Sequence, residues 1–198
     1  MSLGKQSKVL TEKQVQSMID HLGKGRNGPR NRCVMLLSVK AGLRAKEISS
    51  LTWSMMVGPD GKLGDTICLT DNAAKGSSGR IIPINKVLWQ SLEALLLEES
   101  QFPGFSAEWR VVRSERSEVV SPQTVVNMFQ RWYRGLGYVG CSSHSGRRTF
   151  ITNASRKISL VGGSLRDVQV LAGHRNLQTT QRYIDYDTDC QRKVVNLV

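Results

Sequence analysis

The chain has 198 residues, enough for one compact domain, or one with a small appendage, and for a core that needs no disulfide staples. Its 28 lysines and arginines stand against 16 aspartates and glutamates, a formal charge of +12. Solubility alone would be the plainer explanation, but so lopsided a balance on a small domain points to a polyanion, nucleic acid before a membrane surface, because no helix-length segment joins a basic face to an aromatic-rich one.

The opening MSLGKQSKVL is too polar for a signal peptide, so residues 1–10 read as a loose leader. No apolar run approaches the roughly 18 residues of a membrane span. TEKQ at 11–14 fits a capping box before Val15, Met18, Ile19 and Leu22, an amphipathic helix. After NGPRN comes a more buried helix over about 30–41, ended by Gly42, and then a short helix over about 45–51. TWSMMV, TICLT and GRIIPI read as three strands of a small antiparallel sheet, with DNAAKGSS joining the last two and Pro83 marking an edge or a bulge. Leu88, Leu92, Leu95 and Leu96 share a helix face. SPQTVVNMFQRWYRGLG predicts a helix capped by Ser121 with Pro122 at its first position. SHSGRRTFITNASRKI, SLRDVQVLAG and LQTTQRYIDY predict three more helices. The fold class is α+β, mainly helical, with one three-stranded sheet and no repeats.

The four cysteines, Cys33, Cys68, Cys141 and Cys190, lie far apart, with no CxxC pair and no histidine at zinc-finger spacing. They read as free thiols in a reducing cytoplasm, three or four of them buried. The one dense acidic run, Asp185, Asp187 and Asp189, begins like a calcium loop. Cys190 then stands where the glycine belongs and Asn196 where the closing glutamate belongs, so it reads as a solvated patch. No metal or other cofactor is expected.

Four stretches could carry chemistry: AGLRAKEIS with Arg44 and Glu47, AAKGSSGRIIPI with Lys75 and Arg80, SSHSGRRTF with His144, Arg147 and Arg148, and LAGHRNLQTTQRYIDYD with His174, Arg175, Tyr183 and Tyr186. Singly each is ordinary. Arg44 and Glu47 could be a surface pair, Lys75 a solvated turn charge, and HxxR a chance spacing on a helix. Together the order Arg, Lys, His-x-x-Arg, Gly-His, Tyr resembles the tyrosine recombinase family, the phage integrase and Xer-type enzymes. The nine-residue step from His174 to Tyr183, the KGSSGRIIPI hairpin and TTQRYI are similar to that family's patterns, and the resemblance runs from about residue 10 to 186.

The resemblance implies a site-specific DNA recombinase that cleaves and rejoins strands through a covalent 3′-phosphotyrosyl intermediate, without metal or ATP. Attack on a phosphodiester spreads charge over its oxygens, and Arg44 and Arg147 are the candidate guanidinium clamp. The nucleophile is assigned to Tyr183. A phenol ordinarily ionises near about pH 10, so His144, three residues before Arg147, is the candidate base. The resemblance makes Lys75 the proton donor to the departing 5′ oxygen. His174 is expected to hydrogen-bond a non-bridging oxygen, and Glu47 to orient Arg44 or His144. Arg44, Lys75, Arg80, Arg147, Arg148 and Arg175 are the expected DNA contacts. Nine residues of unbroken helix would turn about 900° and set His174 and Tyr183 on opposite faces, so a break at Gly173 is required.

The catalytic domain is assigned to 11–186 and a tail to 187–198, with exchange between protomers and packing on its own core as the two readings of the tail. The resemblance implies double-stranded DNA as partner, a monomer in solution, a homotetramer on paired sites, and a cytoplasmic, nucleoid-associated location. Most relatives carry a further N-terminal helical domain. Either the chain is a piece of a longer protein or it resembles the short fimbrial-switch invertases. A type IB topoisomerase-like enzyme and an inactive DNA-binding module are the alternatives.

Overall fold

The computed structural model describes residues 7–73, 79–114, 118–184 and 194–196. Lys75, Tyr186, Cys190, the acidic run and all but three tail residues lie outside them.

Helix α1 (Glu12–Gly23) opens on the expected capping box, in which Thr11 Oγ1 accepts from Gln14 N–H and the Gln14 side chain accepts from Thr11 N–H. Its apolar face lies on α2 (Gly28–Lys40). In α2 every residue from Cys33 to Val39 is buried, because this stretch is apolar apart from Ser38 and α1, α4 (Lys86–Glu99) and α6 (Ser145–Lys157) all pack on the helix. Short α3 (Ala45–Ser50) packs on α5 (Pro122–Gly135), which has the expected Ser121 cap and Pro122 start. The chain then forms α7 (Leu165–Ala172) and α8 (Leu177–Gln181). The end of the expected loose leader is tied down: Leu10 is buried and its N–H donates to Thr149 Oγ1 on α6, while Lys8 N–H donates to Gly140 O.

Among the described residues the sheet has two strands rather than three, β1 (Thr66–Leu69) antiparallel to β2 (Arg80–Pro83). The expected first strand, TWSMMV, is a 3-10 turn over Trp53–Met55 flanked by isolated bridges at Thr52 and Val57. Trp53 and Met56 are buried while Ser54 is exposed, and a three-residue turn buries two side chains at that spacing where a strand would not. Of the three described cysteines only Cys33 is buried. Cys141 is half-buried and Cys68 is exposed on β1, fewer buried thiols than expected.

A second, smaller apolar cluster joins Ile151 of α6 to Val168 and Ala172 of α7, with the Tyr183 ring packed against it. This cluster fixes α7 and the following turn against α6. Among the described residues no helix is long and apolar enough to cross a membrane.

Candidate active site

The site is assembled at the C-terminal end of α7. A helix end leaves carbonyls without intrahelical donors and carries partial negative charge. Here three successive carbonyls each take an arginine from a different element. Leu171 O accepts from Arg80 Nε at 2.8 Å, Ala172 O from Arg147 Nη2 at 2.6 Å, and Gly173 O from Arg44 Nη2 at a longer 3.5 Å.

Each arginine arrives for a local reason. Gly146 lets α6 cross α2 closely, since a Cβ there would stand 2.3 Å from Ser38 Oγ. Its neighbour Arg147 is thereby carried inside, 3% exposed, with Nη1 donating to Gly42 O at 2.6 Å. Arg44 stands at the N-cap of α3 with its side chain still partly exposed. Arg80 opens β2 in phase with buried Ile82, while Ile81 and Pro83 face out.

Glu47, fully buried on α3, balances part of this charge. Its carboxylate accepts from Arg44 N–H at 2.8 Å and Arg44 Nη1 at 2.7 Å, and from Arg80 Nη1 and Nη2 at 3.1 and 3.2 Å. Burial by itself would raise the Glu47 carboxyl. The hydrogen bonds and charge of Arg80, with those of Arg44, outweigh it and hold the group below its ordinary value. Burial, with the charges of Arg44 and Arg80, brings the Arg147 guanidinium down to about 10, so it stays charged at neutral pH. Three guanidiniums facing one carboxylate leave the centre electropositive and suited to an anion.

Arg80, an expected DNA contact, is held mostly inside the protein. Its side chain is 4% exposed and is committed to Glu47 and α7. The strand register is the reason, and the signal was present in the alternation of RIIP. Of the two alternatives expected for Glu47, Arg44 or His144, the carboxylate bonds Arg44, and it bonds Arg80 as well.

Gly173 ends α7 in the left-handed conformation, φ 61°, and a Cβ on it would stand 2.8 Å from Arg80 Nη1. The required break between His174 and Tyr183 is thus present. Tyr183, expected on a helix, lies instead in the turn after α8. Its N–H donates to Thr180 O and its carbonyl accepts from Thr152 Oγ1 at 3.2 Å. The His174 and Tyr183 rings stack with centroids 5.6 Å apart and planes 20° from parallel. Arg148 lies over the Tyr183 ring, its guanidinium 5.7 Å from the ring centroid.

His174 is 9% exposed. Its Nε2 lies 3.0 Å from Arg147 Nη2 and its Nδ1 2.9 Å from Thr180 Oγ1. Burial and the positive charges of Arg147, Arg44 and Arg80 push the imidazole down to about 4, so it is neutral at physiological pH.

One open cavity of about 460 Å³ is lined by Arg44, His144, Arg147, Arg148, His174 and Tyr183, together with Ser7, Thr179 and Arg182. Five of the six residues expected to be catalytic therefore meet at one place; the sixth, Lys75, lies outside the described residues. His144 is the N-cap residue of α6 and is exposed, outside the helical turn that carries Arg147. Arg175 lines a neighbouring cavity of about 220 Å³ with Arg166, Gln169 and Gly173. Sequence reasoning passed over Arg182, Thr179 and Thr180. All three flank the tyrosine in TTQRYI, and that proximity was the only signal. Among the described residues no cluster of His, Cys, Asp and Glu could hold a metal ion.

A family model described as the phage integrase family matches residues 8–189. The tyrosine recombinase XerA of Thermococcus kodakarensis is 29% identical over 188 residues, covering 94% of this chain and 61% of its own length. The tyrosine recombinase XerC of Shewanella amazonensis is 28% identical over 199 residues, covering 98% of this chain and 63% of its own length. The chain thus spans less than two thirds of these curated relatives. In fold it matches a crystal structure of a XerA recombinase with a TM-score of 0.74 at 19% identity, covering 96% of this chain and 64% of that one. It matches the Tn1549 transposon integrase in complex with a circular intermediate DNA with a TM-score of 0.75 at 17% identity, covering 98% of this chain and 66% of that one.

Proposed function

The chain belongs to the phage integrase family, and from that premise we propose that it is a tyrosine-type site-specific recombinase acting on double-stranded DNA. The observation that carries the reading is the shared cavity of Arg44, Arg147, His174 and Tyr183. A phosphodiester in that cavity would sit between two guanidiniums and a phenol.

In the proposed reaction the Tyr183 oxygen attacks phosphorus and the bond to the 5′ oxygen breaks. This leaves a 3′-phosphotyrosyl link and a free 5′ hydroxyl. Arg44 and Arg147 stabilise the charge that builds on the non-bridging oxygens, each contact contributing on the order of a few kcal/mol of barrier. His144, on the rim of the same cavity, accepts the phenol proton. Lys75 delivers a proton to the leaving oxygen, a role that rests on the family pattern. A 5′ hydroxyl from a second strand then reverses the steps, so the energy of the broken bond is retained and neither metal nor ATP is required.

His174 lines the cavity where a non-bridging oxygen would accept its hydrogen bond, and in the absence of DNA it stands against Arg147. Arg148, Arg175 and Arg182 extend the basic surface toward flanking phosphates. Pairing of two DNA sites would bring four protomers together, with residues 187–198 as the candidate exchange segment.

A nicked suicide substrate tests the assignment. The unaltered protein should trap a covalent adduct, and Tyr183→Phe should abolish it while Tyr186→Phe retains it. An adduct that survives Tyr183→Phe and disappears in Tyr186→Phe overturns the choice of nucleophile. Relaxation of a plasmid with no joining between two sites would instead indicate a topoisomerase.

A further inference from the structure

Arg147 and Arg148 are neighbours on α6, and one step along a helix turns about 100°, so the two side chains leave it in different directions. Arg147 goes inside, while Arg148 is half-buried and lies over the Tyr183 ring, its guanidinium 5.7 Å from the centroid. That is within the roughly 6 Å over which a cation is attracted to the face of an aromatic ring. The clamp of Arg44 and Arg147 makes no use of this contact.

Arg148 has company on its side of α6. Ile151 and Thr152 stand one turn further on, so the three residues share one face of the helix. Each of them meets Tyr183. Ile151 belongs to the small apolar cluster on which the Tyr183 ring packs. Thr152 Oγ1 donates to Tyr183 O at 3.2 Å. Together with Arg148 these contacts hold both the ring and the backbone of the tyrosine. The phenol is close enough to Arg147 for its charge to act on that guanidinium. Local structure gives Tyr183 little support of its own, because α8 is only five residues long and the tyrosine lies in the turn beyond its end.

We propose that Arg148 is a positioning residue for the nucleophile: with Ile151 and Thr152 it forms a seat on α6, and its guanidinium over the Tyr183 ring holds the phenol toward the phosphate that Arg147 binds. Two neighbouring arginines then divide the work, one facing the anion and the other facing the group that attacks it. Because both stand on α6, the nucleophile and the clamp are referred to one rigid element. The His174 ring, stacked on the tyrosine with centroids 5.6 Å apart, restricts the same ring further. The inference rests on the recombinase reading for its catalytic consequence, but the seat belongs to the free protein. A guanidinium carries its N–H donors in its plane, so Arg148 can lie over the ring and still meet a flanking phosphate at its edge. The two roles differ in what they predict. A phosphate contact alone governs DNA affinity, whereas the seat governs the rate once the DNA is bound.

The experiment has two arms. In the first, NMR of tyrosine-labelled protein without DNA, with Tyr183 assigned by comparison with the Tyr183→Phe protein, should show the Tyr183 ring signals displaced in Arg148→Gln. The signals of Tyr133, buried in the main core, should stay in place. In the second arm, suicide-substrate cleavage at saturating DNA should slow by about tenfold or more in Arg148→Gln, the scale expected when a reacting group is misplaced. Arg148→Lys keeps a cation able to lie over the ring and should regain at least about threefold of the lost rate. Tyr183 signals that do not move in Arg148→Gln overturn the inference, and so does movement of Tyr133 as well, which would mark a general packing role. An unchanged rate at saturating DNA also overturns it, because Arg148 would then serve DNA binding alone. Cleavage by Arg148→Lys no faster than by Arg148→Gln does the same. If the unaltered protein forms no adduct, the recombinase reading fails while the NMR arm still decides the seat.

Discussion

Replacing Glu47 with glutamine should be among the most damaging single substitutions in this chain. The carboxylate is fully buried and is shared by two arginines. Arg44 is 23% exposed in its side chain and can turn to water when its partner is lost. Arg80, at 4%, cannot. Removing one member of a buried ion pair typically costs about 3–5 kcal/mol, because the other charge stays desolvated and unpaired. Arg80 alone therefore supports a loss of about 3 kcal/mol for Glu47→Gln, with Arg44 adding a smaller share. Urea denaturation at neutral pH gives the measurement, provided the slope with denaturant is unchanged. The double variant Glu47→Gln with Arg80→Met removes both charges and should recover at least about 1 kcal/mol relative to the sum of the single losses. Acid supplies an internal check. The Glu47 carboxyl is held below its ordinary value of 4.5, so its contribution is full above that value and is lost as pH falls through the lowered one. The variant should lack that part of the acid slope. A Glu47→Gln loss under about 1 kcal/mol, or strict additivity with Arg80→Met, would refute the reasoning.

His174 adds a separate pH effect. Its imidazole is depressed from 6.5 to about 4, so between these values the unfolded chain takes up a proton that the folded chain refuses. Stability should rise by about 3 kcal/mol from pH 4 to 6.5 and then level off, and His174→Gln should flatten that segment of a melting-temperature profile. Gly173→Ala should cost at least about 2 kcal/mol in urea unfolding and reduce adduct formation, because the new Cβ meets both a left-handed backbone and the Arg80 guanidinium. Wild-type stability in that variant would mean the α7 terminus is not constrained as described. DNA affinity in a gel-shift series should fall on the order of a hundredfold or more between about 50 and 200 mM salt, as expected for binding dominated by phosphate contacts, and a flat series would contradict that mode.

The sequence by itself determined the helical layout and the order of the site residues. Thr11 and Ser121 cap their helices as expected because capping is a matter of three or four neighbouring residues. The break at Gly173 was legible for the same reason, since only glycine takes the left-handed turn there without strain. The count from His174 to Tyr183, taken with the upstream arginines, selected the residues that line one cavity. Local pattern misread TWSMMV, where burial of Trp53 and Met56 against distant partners favours a 3-10 turn over a strand. It also left the arginines unranked. Arg44, Arg80 and Arg147 look alike in sequence, yet Arg80 is buried against Glu47 while Arg44 and Arg147 line the cavity. A charge goes inside only where folding supplies a carboxylate and free carbonyls to meet it. Glu47 is 33 residues from Arg80, and the α7 carbonyls are 91 from Arg80 and 25 from Arg147. Those separations are closed by the packing of α6 and β2 on α7, and that packing decided which arginine braces the site and which arginines face the anion.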